Sequence, residues 1–229
     1  MKAAFILGTR PEIIKLSCLI KEYRKKTANF FIIHTNQHYS EEMDKLFFSE
    51  LDLPKPKYNL NVGSSDRIDQ MSRMLPKIER VLLIEKPDIV IIQGDTNTVL
   101  AGAFVASQLG IKVAHVEAGL RSYDRSMQEE INRMVTDHLA SVLLCQTKKQ
   151  REILLGEGIS SEKLHVTVNT IVDAVFRYAK VAKNKSHVLK KYNLLPNKYL
   201  LLTCHRPSNT DSPNNFKQIL MGVSQIAER

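Results

Sequence analysis

Short apolar runs alternate along this chain with longer stretches of helical periodicity. The runs lie at 3–7, 30–34, 88–93, 112–116, 141–146, 164–168 and 199–204. Continuous apolar runs of this length read as strands buried on both faces. Helical stretches fill the intervals at 11–26, 40–50, 66–85, 97–109, 129–140, 147–157, 171–191 and 213–228. Alternating strands and helices predict an α/β fold on a parallel, doubly wound sheet. In the third helical stretch, with Asp66 at its expected start, Ile68, Met71, Met74, Leu75, Ile78, Val81 and Leu82 recur at helical spacing. That stripe predicts core packing rather than a cofactor box. Thr9 and Glu12 make a T-x-x-E pattern ahead of the first helix, with Pro11 in its opening turn, and predict a capping box.

Polar signatures follow three of the runs directly: Gly8–Glu12 after 3–7, Gly94–Thr98 after 88–93 and Glu117–Arg121 after 112–116. In open α/β sheets, ligands bind in the crevice beyond the carboxyl ends of the strands. Three strands thus deliver Arg10, Asp95 and Glu117 towards one crevice. A guanidinium and the amides of a helix N-terminus both favour phosphate, and Lys15 adds charge one turn on. The competing account pairs Arg10 with a carboxylate and leaves Lys15 solvated. Glu129 and Glu130 open a helix after the loop GLRSYDRSMQ. Several carboxylates around one crevice suit acid and base work, because crowding separates their pKa values. Against this stand an N-cap role for Asp95 and favourable first-turn charge for Glu129 and Glu130. Gln37-His38-Tyr39 follows the second run and points to the same edge. His115, inside an apolar strand, reads as a satisfied core histidine. His205 and Arg206 follow the run 199–204 and suit an anion or acid role across a cleft.

Bulk properties narrow the partners. Of 229 residues, 43% are hydrophobic and 25% charged, enough for a sizeable core. No apolar run approaches the ~18 residues that span a bilayer. The start MKAAFILGTRPE reads as a first strand rather than a signal peptide, so a cytoplasmic location is expected. Cys18, Cys145 and Cys204 are far apart and lack metal-type spacing, so neither a disulfide framework nor a zinc site is predicted. The net charge of +9 is concentrated: between Asp173 and Asp211 stand eight cations and no acidic residue. A solvated helix face accounts for it, and without aromatic interleaving no nucleic-acid role is expected. Residues 1–170 are read as one Rossmann-like domain and 171–197 as a basic interdomain segment. Residues 198–229 are read as the opening of a second α/β domain.

The segments GTRPEIIKL, HTNQHYSEEMD, GDTNTVLAGA, HVEAGLRSYDR, EEINR-x-x-TDH and CHRPSN stand in an order and spacing that resemble the non-hydrolysing UDP-N-acetylglucosamine 2-epimerases. The resemblance runs essentially through the whole chain. It implies two Rossmann-like domains of the glycosyltransferase-B type, a UDP-sugar substrate, a homodimer, and neither metal nor nicotinamide cofactor. The implied reaction eliminates UDP to give 2-acetamidoglucal and re-adds it with the C2 proton returned to the other face. Carried over by motif, Asp95, Glu117 and Glu129 are the acid/base set, with their individual roles open. Arg10, Lys15, His205 and Arg206 handle the diphosphate and leaving group, and Gln37 and His38 match an allosteric segment of bacterial members. Three departures stand out: Gln128 replaces a usual Pro, Val168 a usual Gly, and GSSDRIDQ lacks a usual Thr-His-Gly. The family's chains are also longer. A catalytically inactive short paralogue that binds sugar nucleotides or regulates, and an epimerase of a UDP-diacetamido-uronate, are the alternatives.

Overall fold

The computed structural model describes residues 1–27, 29–37, 41–204 and 207–227, without the side chains of 41–44, 207 and 208. These residues group into two compact units, Met1–Ala179 and Lys180–Arg229.

The first unit is a seven-stranded sheet, every strand parallel to its neighbours. Its strands are β1 (Ala3–Leu7), β2 (Phe30–His34), β3 (Tyr58–Asn59), β4 (Ile89–Gln93), β5 (Lys112–Ala118), β6 (Val142–Cys145) and β7 (Leu164–Val166). The connecting helices are α1 (Arg10–Lys26), α2 (Glu41–Glu50), α3 (Arg67–Glu85), α4 (Asn97–Gln108), α5 (Gln128–Leu139) and α6 (Lys148–Gly156). The spatial order is β3-β2-β1-β4-β5-β6-β7. The chain therefore winds one way from β1 to β3 and the other way from β4 to β7. The reversal leaves a crevice between the carboxyl ends of β1 and β4, the switch point where such sheets take ligands.

Alternate residues of each strand feed opposite cores. Ala4, Ile6, Val90 and Ile92 pack with Met74, Ile78, Val99 and Ala103 of α3 and α4 on one face. Phe5, Leu7, Ile32 and Ile91 pack with Ile13, Leu16 and Ile20 of α1 on the other. Burial on both faces explains why the strands read as unbroken apolar runs. The α3 stripe lies in the core as expected except for Ile68, which is exposed at the first turn. Gly8, just after β1, has no room for a side chain: an added Cβ would lie 2.1 Å from Thr35 Oγ1 and 2.3 Å from Thr98 Oγ1.

Helix α7 (Thr170–Lys185) begins in this unit, where Ala174 is buried and the Tyr178 hydroxyl donates to the Leu51 carbonyl. The expected helix 171–191 is broken: α7 stops at Lys185 and α8 spans Val188–Lys191. Before α7, Val168, which stands where the resemblance expects Gly, has left-handed backbone at φ 70°.

In the second unit, α9 (Pro207–Thr210) and α10 (Pro213–Ala227) follow α8. The strand expected at 199–204 does not form. Among the described residues nothing lies beside it to make a ladder, and Leu200, Leu201 and Leu202 are exposed. Cys18 and Cys145 are buried, Cys204 is partly exposed, and all three are free thiols. Burial, with the charge of Asp137, pushes the Cys145 thiol up to about 11. Among the described residues no helix is long and apolar enough to cross a membrane.

Candidate active site

The three signature segments meet at the switch point. The turn after β1 brings Thr9, Pro11, Glu12 and Lys15. The turn after β4 brings Gly94, Asp95 and Thr96, and the end of β5 brings Glu117. Together with Gln93, Leu120 and Arg133 they enclose an inner pocket of about 120 Å³. A wider outer pocket of about 360 Å³ shares Thr9, Asp95 and Thr96 with it and is otherwise lined by polar side chains, among them Gln37, Ser65, Arg67, Asn97, Glu129 and Asn132. Asp95 thus stands where the two join, with Glu117 in the inner pocket and Glu129, exposed, in the outer one.

Two of the three inner carboxylates, Glu117 and Asp95, each have a cation. Lys15 Nζ lies 2.7 Å from Glu117 Oε2, and Arg133 Nη2 lies 2.6 Å from Asp95 Oδ2. The Arg133 Nε donates to the same Asp95 oxygen at 2.9 Å. Gln93 also donates its side-chain amide to Glu117. Lys15 is therefore a pocket residue rather than a solvated one. Glu117 is aimed inward by a bulge. β5 pairs Val116 with Leu144 and Ala118 with Cys145, leaving Glu117 unpaired at φ 73°. A bulge re-aims a side chain, and left-handed backbone at a non-glycine residue stores strain of the kind held at functional sites.

Around these groups the polar framework is closely bonded. Glu130, by sequence either an acid/base candidate or a first-turn charge, is buried and accepts the Ser122 and Tyr123 amides, fixing the loop after β5. Burial raises its pKa, but those amides, the Ser122 hydroxyl and Arg133 bring it below the ordinary range. Behind Glu117, His115 is fully buried between the Asp137 carboxylate (Nδ1, 2.7 Å) and the Gly94 carbonyl (Nε2, 2.8 Å). Asp137 also accepts from Arg121 and from the Gly119 amide, which keeps it ionised. Both ring nitrogens of His115 face acceptors, an arrangement that favours the doubly protonated ring. Burial opposes that charge, but Asp137 and the Gly94 carbonyl outweigh it and raise the pKa. His115 is the satisfied core histidine expected, with the added duty of holding the Gly94 turn that leads to Asp95.

Other candidates fall elsewhere. Arg10 is exposed, lies over the Phe47 ring at 6.0 Å and lines neither pocket. Gln37 lines the outer pocket and accepts from the Thr98 hydroxyl at 2.9 Å. His38, His205 and Arg206 lie outside the described residues. Of the departures, Gln128 opens α5, donates to Asn132 and lines the outer pocket, as do Ser64, Ser65 and Arg67 of GSSDRIDQ. The expected capping box is present at the start of α1: Thr9 is the N-cap, its amide donates to Glu12 at 3.0 Å, and its side chain faces the Glu12 amide.

Glu12, Arg133 and Gln93 were missed as site residues. Glu12 is 2% exposed at the floor of the inner pocket. Burial pushes its carboxyl up to about 7, aided by the charge of Asp95 and opposed by its hydrogen bonds to Thr96, Gly8 and Thr9. The only local trace of its role is the T-x-x-E pattern. Among the described residues, no cluster of three or more His, Cys, Asp or Glu is placed to hold a metal.

A parallel doubly wound sheet with acidic and cationic side chains gathered at its switch point is a Rossmann-like α/β fold of the glycosyltransferase-B type. A profile of the family described as UDP-N-acetylglucosamine 2-epimerase matches residues 21–229, and the chain belongs to that family. It is 55% identical over its full length to a UDP-N-acetylglucosamine 2-epimerase of Methanocaldococcus jannaschii. The crystal structure of the M. jannaschii UDP-GlcNAc 2-epimerase in complex with UDP-GlcNAc and UDP superposes with a TM-score of 0.91 over 100% of this chain and 63% of that one. A UDP-2,3-diacetamido-2,3-dideoxy-D-glucuronate 2-epimerase of Pseudomonas aeruginosa is 36% identical over 99% of the chain. The chain spans about 63% of the length of both curated relatives.

Proposed function

We propose that the protein interconverts UDP-N-acetylglucosamine and UDP-N-acetylmannosamine. The observation that carries this reading is Asp95 beside Glu117 in one pocket, each paired with a cation. C2 of the sugar is not adjacent to a carbonyl, so direct removal of its proton is difficult. In the elimination route a carboxylate takes the C2 proton while the C1–O bond breaks. UDP leaves with the electron pair, and 2-acetamidoglucal remains. Re-addition of UDP at C1 with a proton delivered to the other face of C2 gives the epimer. Two carboxylates on different strand ends can serve opposite faces of a ring, and Asp95, Glu117 and Glu129 are the candidates. Lys15 and Arg133 can stabilise charge that develops on the departing diphosphate.

In this reading Arg10, His205 and Arg206 contribute to the diphosphate side, and residues 198–229 open a second Rossmann-like domain after the basic segment 171–197. A homodimer and a cytoplasmic location belong to the same reading. N-acetylglucosamine is preferred to a diacetamido-uronate because identity is 55% to the former enzyme and 36% to the latter.

The test is C2 proton exchange, followed by NMR, with UDP-N-acetylglucosamine in deuterated water. Wild type should take up deuterium at C2 and form the manno epimer. Asp95→Asn and Glu117→Gln should each lower exchange by at least about a hundredfold, the scale of acid–base catalysis, while retaining UDP binding. Unchanged exchange in both variants would defeat the assignment.

A further inference from the structure

We propose that Glu12 is a positioning residue for Asp95: its buried carboxyl ties the turn that carries Asp95 to the turn that opens α1, and its charge state is coupled to that of Asp95. This rests on the reading of Asp95 as an acid/base group. One carboxyl oxygen of Glu12, Oε2, accepts the Gly8 amide at 2.5 Å and the Thr9 amide at 3.0 Å. The other, Oε1, meets the Thr96 hydroxyl at 2.5 Å. Thr96 follows Asp95 in the chain and also caps α4, accepting the Val99 amide at 3.3 Å. One side chain therefore joins the first signature segment to the second, across the crevice where they meet.

The charge balance around Glu12 distinguishes it from a plain structural clamp. Lys15 of α1 pairs with Glu117 of β5, and Arg133 of α5 pairs with Asp95. Arg10 of α1 turns outward over Phe47. Among the described residues no cation pairs with Glu12, which is the most buried carboxylate lining the inner pocket. A buried carboxyl without a cation, close to a second carboxylate, holds its proton more tightly while that neighbour is charged. The hydrogen bond to Thr96 survives either state. An ionised Glu12 accepts from the Thr96 hydroxyl, and a protonated one donates to it. Glu12 can therefore exchange a proton without releasing the turn that carries Asp95.

The test has two arms. Carboxyl carbon NMR of the labelled chain, with Glu12→Gln identifying the resonance, should show Glu12 titrating between about pH 5 and pH 9. Thr96→Val, which removes a bond favouring the ionised form, should move that midpoint to higher pH, and Asp95→Asn, which removes the neighbouring charge, should move it to lower pH. A Glu12 carboxyl ionised throughout that range, or a midpoint indifferent to Asp95→Asn, would overturn the coupling. This arm is independent of substrate. The second arm follows kcat and KM of C2 epimerisation against pH. Glu12→Ala should lower kcat by about tenfold to a hundredfold with KM little changed, the scale expected when a reacting group is misplaced. Glu12→Gln keeps all three hydrogen bonds and should recover most of kcat, with the profile altered only near and above neutrality, where the wild-type carboxyl carries its charge. A Glu12→Gln profile identical to wild type would make Glu12 merely architectural, and a Glu12→Gln as slow as Glu12→Ala would refute the clamp. Wild type without C2 exchange would instead defeat the functional reading, leaving the NMR arm to decide the charge coupling.

Discussion

Replacing Gly8 by alanine isolates a steric demand at the switch point. Gly8 is not in a left-handed conformation, so alanine can take its backbone angles. The obstacle is space alone. The new methyl would lie 2.1 Å from Thr35 Oγ1, 2.3 Å from Thr98 Oγ1 and 3.2 Å from Thr98 Cβ. Both threonines are fully buried, and their hydroxyls bond each other at 2.7 Å. Neither can swing away without breaking that bond or the one from Thr98 to Gln37. Overpacking costs about 1–3 kcal/mol, and a lost hydroxyl bond adds about 1 kcal/mol. The reduced freedom of the unfolded chain returns about 0.4–1 kcal/mol. The net expectation is a loss of about 1–3.5 kcal/mol, read from urea unfolding. In a Thr35→Ala, Thr98→Ala background the same change should cost less, because the clashing oxygens are gone. A Gly8→Ala protein within about 0.5 kcal/mol of wild type, the usual effect of a neutral substitution, would refute the steric argument.

Three further expectations concern strain and charge. Val168→Gly should raise the urea midpoint, because relief of a left-handed valine, of order 1–3 kcal/mol, exceeds the ~0.5–1 kcal/mol entropic cost of glycine; the side chain is 63% exposed and loses little packing, and a lowered midpoint would count against the strain. Glu85 is held at about 2 by hydrogen bonds from Lys2, Lys57 and Tyr58, so its contribution is present above the ordinary value of 4.5 and is lost as pH falls towards 2. Glu85→Gln should flatten the acid decline of the urea midpoint across that window, and an equally steep decline in both proteins would contradict it. For His115 the sign reverses: its raised pKa gives stability that is complete below the ordinary value of 6.5 and lost as pH rises through the folded value. Nitrogen NMR should find both ring nitrogens protonated at pH 6.5, and one bare nitrogen there would exclude the imidazolium.

The sheet was legible because strands buried on both faces leave unbroken apolar runs. What escaped detection depends on contacts that no local pattern encodes. β3 has two residues, too few for a pattern, and forms because β2 offers it an edge. Residues 199–204 carry a strand-like run but have no described neighbour with which to make a ladder. At the site, the strand ends placed Asp95 and Glu117 correctly, since parallel strands leave their carboxyl ends on one edge. The bulge that turns Glu117 inward is invisible in KVAHVEA, where nothing marks the residue after the run 112–116 as unpaired. Glu12 was read as a capping residue from three positions of spacing, and its Thr9 contact bears that out. The contact that gives it a place in the site is with Thr96, 84 positions away. Lys15 and Arg133 likewise find their carboxylates only after the chain has crossed the sheet.

The uneven burial of the three thiols makes the chain its own labelling scaffold. Cys18 and Cys145 are sheltered, and the Cys145 thiol sits far above neutrality, so it presents almost no thiolate to an electrophile. Cys204 is the one with solvent access, and it immediately precedes His205 and Arg206. A maleimide dye added to the unaltered protein should therefore report from a single position, next in sequence to residues proposed to serve the diphosphate, without a cysteine being introduced or removed.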